Sequence, residues 1–330
     1  MPNQLCICIP TFNRVEKLRK SLSYHAQLCN KHGIRLVVSD NASFDGSRDL
    51  LKQYKDQYTW FDFFSHQSNQ GPDANFDFAL KLGLQTGANY MWLLGDDDFI
   101  ESDSLHGILK RLDEEKPDMM VVNTRNQVSN NLPSIYTSRS DLLRDLAWHS
   151  TFISSLIFGR AAAAYGIEPN HSSPNFSHVF GAFNFLAGKN PIKVSWVQRP
   201  SIYTLRYDCT LPSWFSNVLD IFATNWVNTI QGLSSTYSVA DKNVAIKSLW
   251  RHSKILNMKT IIFLIFKSDL SFSHFWVRAE EIKLVIGNLR FYFSLLAFLV
   301  PKFLSTRIAQ FALNRYVKKR ALESRSLNLM

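Results

Sequence analysis

Three consecutive carboxylates, Asp96, Asp97 and Asp98, interrupt the otherwise apolar stretch YMWLLGDDDFI that runs from Tyr90 to Ile100. Like charges this close raise one another's pKa, so the triplet needs hydrogen-bond donors or a cation to compensate it. A hard divalent ion suits it, because Mg²⁺ and Mn²⁺ take oxygen ligands and commonly bridge one or two carboxylates to substrate phosphates. The plainer alternative is a solvated acidic turn, with Asp103 capping the next helix.

The apolar run ahead of the triplet reads as a buried parallel strand, and its C-terminal end is the edge at which open α/β sheets bind ligands. The same pattern recurs along the first third of the chain. Leu5–Ile9 (LCICI) runs into Pro10-Thr11-Phe12-Asn13-Arg14, followed by a helical pattern with Leu18, Leu22 and His25 on one side. Ile34–Ser39 (IRLVVS) runs into Asp40-Asn41-Ala42-Ser43-Phe44-Asp45-Gly46, after which Ser47 is the expected helix N-cap. Trp60–Ser65 is a third strand, the turn at Asn69–Asp73 feeds a helix from Asn75 to Gln85, and Met119–Val122 is a fifth strand. Strands alternating with helices predict an α/β fold, a mostly parallel sheet wound by right-handed crossovers, with every polar turn on one edge. The turns at 11–14, 40–45 and 96–98 then converge. None carries a Gly-rich dinucleotide fingerprint or a Gly-Lys-Ser/Thr phosphate loop, which argues against hydride transfer and P-loop hydrolysis.

The pairing of IPTFNR (9–14) with VVSDNASFDGS (37–47), NQGPDANF (69–76) and WLLGDDDFI (92–100) resembles family 2 glycosyltransferases of the GT-A, Rossmann-type fold. The GPDANF form is similar to that of bacterial O-antigen sugar transferases, including abequosyltransferase-like enzymes. The resemblance implies a nucleotide-diphosphate sugar donor. Pro10, Thr11, Asn13 and Arg14 would line its nucleotide pocket, Asp40 would contact the base with Asn41 beside it, and Asp73 and Asn75 would sit beside the diphosphate sugar. The triplet would carry Mg²⁺ or Mn²⁺. The family commonly shows Asp-x-Asp-Asp, whereas here Gly95 precedes the three carboxylates. Either Asp97 and Asp98 bind metal with Asp96 a bystander in the donor pocket, or Asp96 and Asp98 do. Asp40 could instead merely shape its turn and Asn75 merely cap a helix.

In the resembled family a Glu-Asp pair before a helix often supplies the base that deprotonates the acceptor. No such pair is present. His178, in FSHVF, occupies a comparable place, and a neutral imidazole can take a proton near neutral pH; a His packed at a helix start is the plainer alternative. Asp208 is the second candidate. The expected organisation is a nucleotide-sugar-binding part over 1–125, an acceptor-binding part over 126–215, and a helical, basic, aromatic and membrane-associating region over 216–330.

The formal net charge of +10 sits in that last region, since residues 242–330 hold sixteen Lys or Arg against four Asp or Glu. Such a tail suits an anionic lipid surface or a nucleic acid, and no nucleic-acid-binding motif supports the latter. The longest charge-free stretch there, Phe291–Pro301, falls well short of the ~20 residues a spanning helix needs. Leu304, Ile308 and Phe311 share a helical face that leads to the basic run Lys318-Lys319-Arg320, a pattern suited to lying in the headgroup region. Four scattered cysteines without paired spacing, and no basic-apolar leader at the N-terminus, fit a cytoplasmic protein at the inner face of the membrane.

These readings predict an inverting, metal-dependent glycosyltransferase that acts on a polyprenyl-diphosphate-linked oligosaccharide in surface polysaccharide synthesis. The alternatives are a sugar nucleotidyltransferase and a basic nucleic-acid-binding or scaffold protein.

Overall fold

The computed structural model describes residues 4–124, 127–129, 131–168, 174–204, 215–253, 258–267 and 269–327, with side chains as far as residue 315. Its first strand, β1 (Leu5–Thr11), is buried at every position, which is why LCICIPT shows no polar alternation. There follow α1 (Val15–His32), β2 (Arg35–Asp40), α2 (Ser47–Gln57), β3 (Phe61–Ser65), α3 (Pro72–Gln85) and β4 (Tyr90–Leu93). Strands β3, β2, β1 and β4 lie side by side in that order, all parallel. The chain thus winds outward from β1 in both directions, and the turns after β1, β2 and β4 meet at one edge.

Beyond β4 the sheet is mixed. Strand β5 (Asp98–Ile100) begins on the third carboxylate, and α4 (Ser102–Glu115), β6 (Met119–Thr124), β7 (Ile135–Tyr136), α5 (Arg139–Leu146), β8 (Leu156–Gly159), α6 (Arg160–Gly166), α7 (Ser177–Ala187) and β9 (Val194–Thr204) complete the layer. Strand β8 inserts antiparallel between β4 and β6, and β9 runs parallel to β6 before its end pairs antiparallel with β5. Asp98 faces Thr204 in that last pairing. The sheet continues past residue 125, since β8 and β9 come from the following segment.

Local chemistry sets the helix starts. Helix α1 buries Leu18, Leu22, His25, Ala26 and Cys29 on one stripe and ends at Gly33, whose φ of 64° is the left-handed conformation that terminates helices. Helix α3 starts at Pro72, ahead of the expected Asn75, because a proline's fixed φ and missing N–H suit the first turn. Ser47 is the first residue of α2 and not its cap. Asp45 does the capping: one oxygen accepts from Ser47 N (3.1 Å) and Oγ (2.6 Å), the other from Val15 N at the head of α1 (2.7 Å). Burial opposes ionisation of Asp45, and these bonds outweigh it, holding the carboxylate below its ordinary pKa.

Contacts divide the chain into two compact units, Met1–Leu205 with Gly232–Asp241, and Arg206–Gln231 with Lys242–Met330. The second is helical: α8 (Trp226–Gln231), α9 (Val239–His252), α10 (Met258–Lys267), α11 (Phe272–Val277), α12 (Ala279–Ile286), α13 (Asn288–Leu295) and α14 (Lys302–Leu327). Its core includes Trp226, Leu264, Ile282 and a stacked Phe275–Phe291 pair 5.1 Å apart. Among the described residues no single helix is long and apolar enough to cross a membrane.

Candidate active site

The strand-end turns compensate the acidic triplet from within the protein. Arg14, at the head of α1, donates from Nη1 to Asp96 Oδ1 and from Nη2 to Asp97 Oδ2, both at 2.5 Å, and Lys17 Nζ lies 3.5 Å from the same Asp97 oxygen. Thr11 Oγ1 donates to the other Asp96 oxygen at 2.7 Å. Asp96 is therefore the anchor of Arg14 and not a bystander. Burial first, then Asp97, push the Asp96 carboxyl up to about 6, against the pull of Arg14 and Thr11. Burial works against the Arg14 charge, and Asp96 and Asp97 outweigh it. Asp98 is buried, its two oxygens accepting from Ser154 Oγ (2.6 Å) and Thr204 Oγ1. Asp97 is the most open of the three, its side chain 24% exposed.

Next to this cluster, the turns after β1 and β2 are tied together. Asn13, at a φ of 51° that Asn tolerates, donates its backbone N–H to Ser43 Oγ (2.8 Å) and accepts from Phe44 N (2.9 Å). Pro10 pairs with Ser39 in the strand register. Asn41 braces the turn before α3, donating to Asn69 Oδ1 and Gly71 O and accepting from Gln70 N. Asp40 is 1% exposed; Oδ1 accepts from Ser43 N at 3.1 Å, and Oδ2 finds no hydrogen-bond partner among the described residues. A buried acceptor left without a donor is costly.

Helix α3 joins this edge to α7. Asn75 accepts from Ser39 Oγ (2.6 Å) and donates to Thr11 O (3.3 Å), so it bridges β1 and β2. Asp73 accepts from Asn175 N (2.7 Å) and Ser177 N (3.3 Å), capping α7 from another element. One turn on, Asp77 accepts from Ser177 Oγ at 3.3 Å, and burial with the neighbouring Asp73 charge pushes its carboxyl up to about 7. His178 lies against the Phe76 and Phe176 rings with Nε2 3.1 Å from Ser150 O. That contact assigns the proton to Nε2 and leaves Nδ1 as the unprotonated acceptor, buried and unpartnered among the described residues. Burial lowers this His to about 4, so it is neutral at pH 7. Asp208 lies outside the described residues.

Sequence reasoning missed Lys17, Asp77, Ser154 and Thr204. The i, i+3 spacing of Arg14 and Lys17 and the i, i+4 spacing of Asp73 and Asp77 were available signals. Ser154 and Thr204 reach Asp98 only through long-range strand pairing, which leaves no local mark.

Among the described residues no group of three or more His, Cys, Asp or Glu is arranged to hold a metal by itself. The donor chemistry nonetheless fits Mg²⁺ or Mn²⁺ shared with a phosphate, because such ions commonly take only one or two carboxylates plus substrate oxygens. Charge argues the same way. Arg14 and Lys17 leave one of three carboxylate charges unmatched, so a diphosphate would meet a net negative site, and a divalent ion on Asp97 and Asp98 reverses that sign.

Residues 6–171, half of the chain, match the profile described as Glycosyl transferase family 2, and the chain belongs to that family. Abequosyltransferase RfbV of Salmonella typhimurium is 34% identical over 113 residues, 34% of this chain and 33% of that protein, so the chain aligns with about a third of its curated relative's length. Among solved structures, residues 1–349 of S. aureus TarS in complex with UDP-GlcNAc superpose with a TM-score of 0.59, 14% identity, and coverage of 94% of this chain and 92% of that one. The mannosyltransferase PcManGT from Pyrobaculum calidifontis, in complex with GDP-Man and Mn²⁺, gives 0.50, 11%, 98% and 87%. At these identities the likeness is one of fold, the GT-A-like sheet flanked by helices.

Proposed function

We propose that the protein transfers a sugar from a nucleoside diphosphate donor to a hydroxyl of a lipid-linked oligosaccharide, with inversion, in the assembly of a bacterial surface polysaccharide such as O-antigen. The observation that carries this reading is Arg14, a cation fixed by Asp96 and Asp97 where the turns of β1 and β4 meet, with 38% of its side chain open to a ligand. The open Asp40 oxygen within the adjoining turn takes a base N–H. Asp97 and Asp98 would hold a divalent ion, which would supply charge neutralisation at the leaving diphosphate. Arg14 and Lys17 orient that diphosphate from the protein side, and placing fixed charges where negative charge develops is the main way such a site lowers the barrier.

The acceptor proton passes to the α7 end of the site. There the His178 Nδ1 is already unprotonated, and a direct displacement needs a base opposite the leaving group. The abequosyltransferase relative and the family support transfer of a sugar from an activated donor. The test is a reaction of purified protein with a nucleoside diphosphate sugar and a lipid-linked acceptor, followed by NMR of the product's anomeric centre. Inverted configuration agrees with this mechanism, and retained configuration overturns it.

A further inference from the structure

We propose that the second unit docks on an anionic bilayer surface through the outward stripe of α13 and α14. Surface helices of globular proteins face their apolar stripe inward and their polar residues outward. These two also turn large apolar residues outward. Helix α13 turns Phe291 and Ser294 inward while Leu289, Tyr292 and Phe293, together with Leu296 just past its end, are exposed, Leu289 at 85%. Helix α14 buries Ser305 and Ala309 while Phe303, Leu304, Ile308 and Phe311 are exposed, Phe303 at 72%. Ser305 and Ala309, one turn apart, are the small residues that α14 turns inward, and α14 packs on α10.

Charge and shape identify the occupant. Residues 288–315 carry Arg290, Lys302, Arg307 and Arg315 and no Asp or Glu, so cations border an apolar face on which no carboxylate would repel anionic headgroups. The two arms, Asn288–Leu299 and Lys302–Arg315, meet at a 112° bend at Val300-Pro301, where proline cannot continue the preceding helix. Among the described residues no single helix is both long and apolar enough to cross a bilayer of ~30 Å hydrocarbon, and the two arms reach that length and apolarity only together, across the sharp bend; the pair is therefore placed in the interface, with its aromatic residues at the headgroup–acyl boundary. Phe272 of α11 contacts Phe298 at 5.5 Å, setting the exposed Trp276 beside the bend as a further interfacial ring. This surface rests on the reading above only for its purpose, which is to bring the enzyme to a lipid-linked acceptor.

The experiment is flotation of the full chain with vesicles of neutral lipid or of neutral plus anionic lipid, at low and high salt, without substrate. The parent protein floats with anionic vesicles and keeps part of that binding at high salt. The triple variant Phe293→Ser, Leu296→Ser, Phe303→Ser loses at least about tenfold in bound fraction at both salts, as expected when apolar burial is removed. The double variant Lys302→Gln, Arg307→Gln loses binding mainly at low salt. Because all five side chains are exposed, circular dichroism and Tm stay at parent values, and any donor-induced thermal shift is untouched, which separates this proposal from the transfer chemistry. A parent protein that does not float, or a triple variant that floats equally well, overturns the proposal. So does a parent dimer, seen by light scattering, that the triple variant dissolves while neither protein binds vesicles; the face would then cover a second copy of the chain.

Discussion

One hydroxyl, that of Ser154, fixes both the carboxylate of Asp98 and the turn that presents it. Its Oγ donates to Asp98 Oδ2 at 2.6 Å and accepts the Gly95 N–H at 2.9 Å. A Cβ at Gly95 would come within 2.9 Å of that same Asp98 oxygen, so the turn closes this tightly only on glycine. The acidic end of β4 is thereby held from a segment 56 residues further along the chain.

Removing Asp98 therefore does more than relieve repulsion. Asp98→Ala strands the buried hydroxyl of Ser154 and deprives Thr204 of its acceptor, and it should cost about 1–3 kcal/mol in a urea unfolding experiment. Asp98→Asn keeps an acceptor for one hydroxyl, so it should stay within about 1 kcal/mol of the parent while losing metal-dependent donor binding. An Asp98→Ala protein as stable as the parent would contradict the hydrogen-bond account.

Asp40→Asn tests the open acceptor. The amide keeps one oxygen for Ser43 N and turns a donor toward the base, so nucleoside diphosphate affinity should fall at least about tenfold by calorimetry, the ~1.4 kcal/mol of one unmatched polar contact. Unchanged affinity would remove Asp40 from the base site.

His178→Gln retains a donor for Ser150 O and deletes the Nδ1 acceptor. Turnover should drop about 100-fold, the lower range for loss of a general base, with the donor KM unchanged. Because the imidazole is neutral down to about pH 4, the part of the parent's acid limb that His178 sets should lie near pH 4, below the part set by Asp96 at about 6. Near-parent turnover by this variant would move the base elsewhere.

Asp77 makes a stability prediction with a definite sign. Its carboxyl is raised from 3.8 to about 7 by burial and by Asp73, so the folded state holds the proton more tightly than the unfolded chain does. The stability this contributes is full below pH 4 and is lost as pH rises to about 7. Asp77→Asn should match the parent at pH 4 and exceed it by about 2 kcal/mol at pH 8, after discounting ~1.4 kcal/mol per unit for partial solvation. A variant less stable than the parent at pH 8 would contradict this.

The parallel half of the sheet is legible because a strand buried on both faces is a continuous apolar run, as in LCICI and YMWLL, and because each run ends in a polar turn. The convergence of Thr11, Arg14, Asp96 and Asp97 follows from that winding alone. The mixed half is not legible in the same way. Strand β5 is only three residues long and starts on a charge, and β8 gains its place by antiparallel pairing with two strands distant in sequence. The triplet calls for donors or a cation, and the donors are Arg14, Lys17 and three hydroxyls that come from other segments of the chain. Asp45 and Asp73, which cap helices in other parts of the chain, show the same limit, because their partners are neighbours only in the folded protein.

The most direct test of the central claim is a thermal-shift comparison of the parent and the Asp97→Asn, Asp98→Asn double variant, with a panel of nucleoside diphosphate sugars, with and without Mn²⁺. A ligand that binds only the folded state raises Tm with its occupancy. The parent should be stabilised by at least one nucleoside diphosphate sugar, more strongly with Mn²⁺, and the variant should lose the Mn²⁺-dependent part. No stabilisation of the parent by any nucleoside diphosphate sugar, or an equal Mn²⁺-dependent shift in both proteins, would contradict the account.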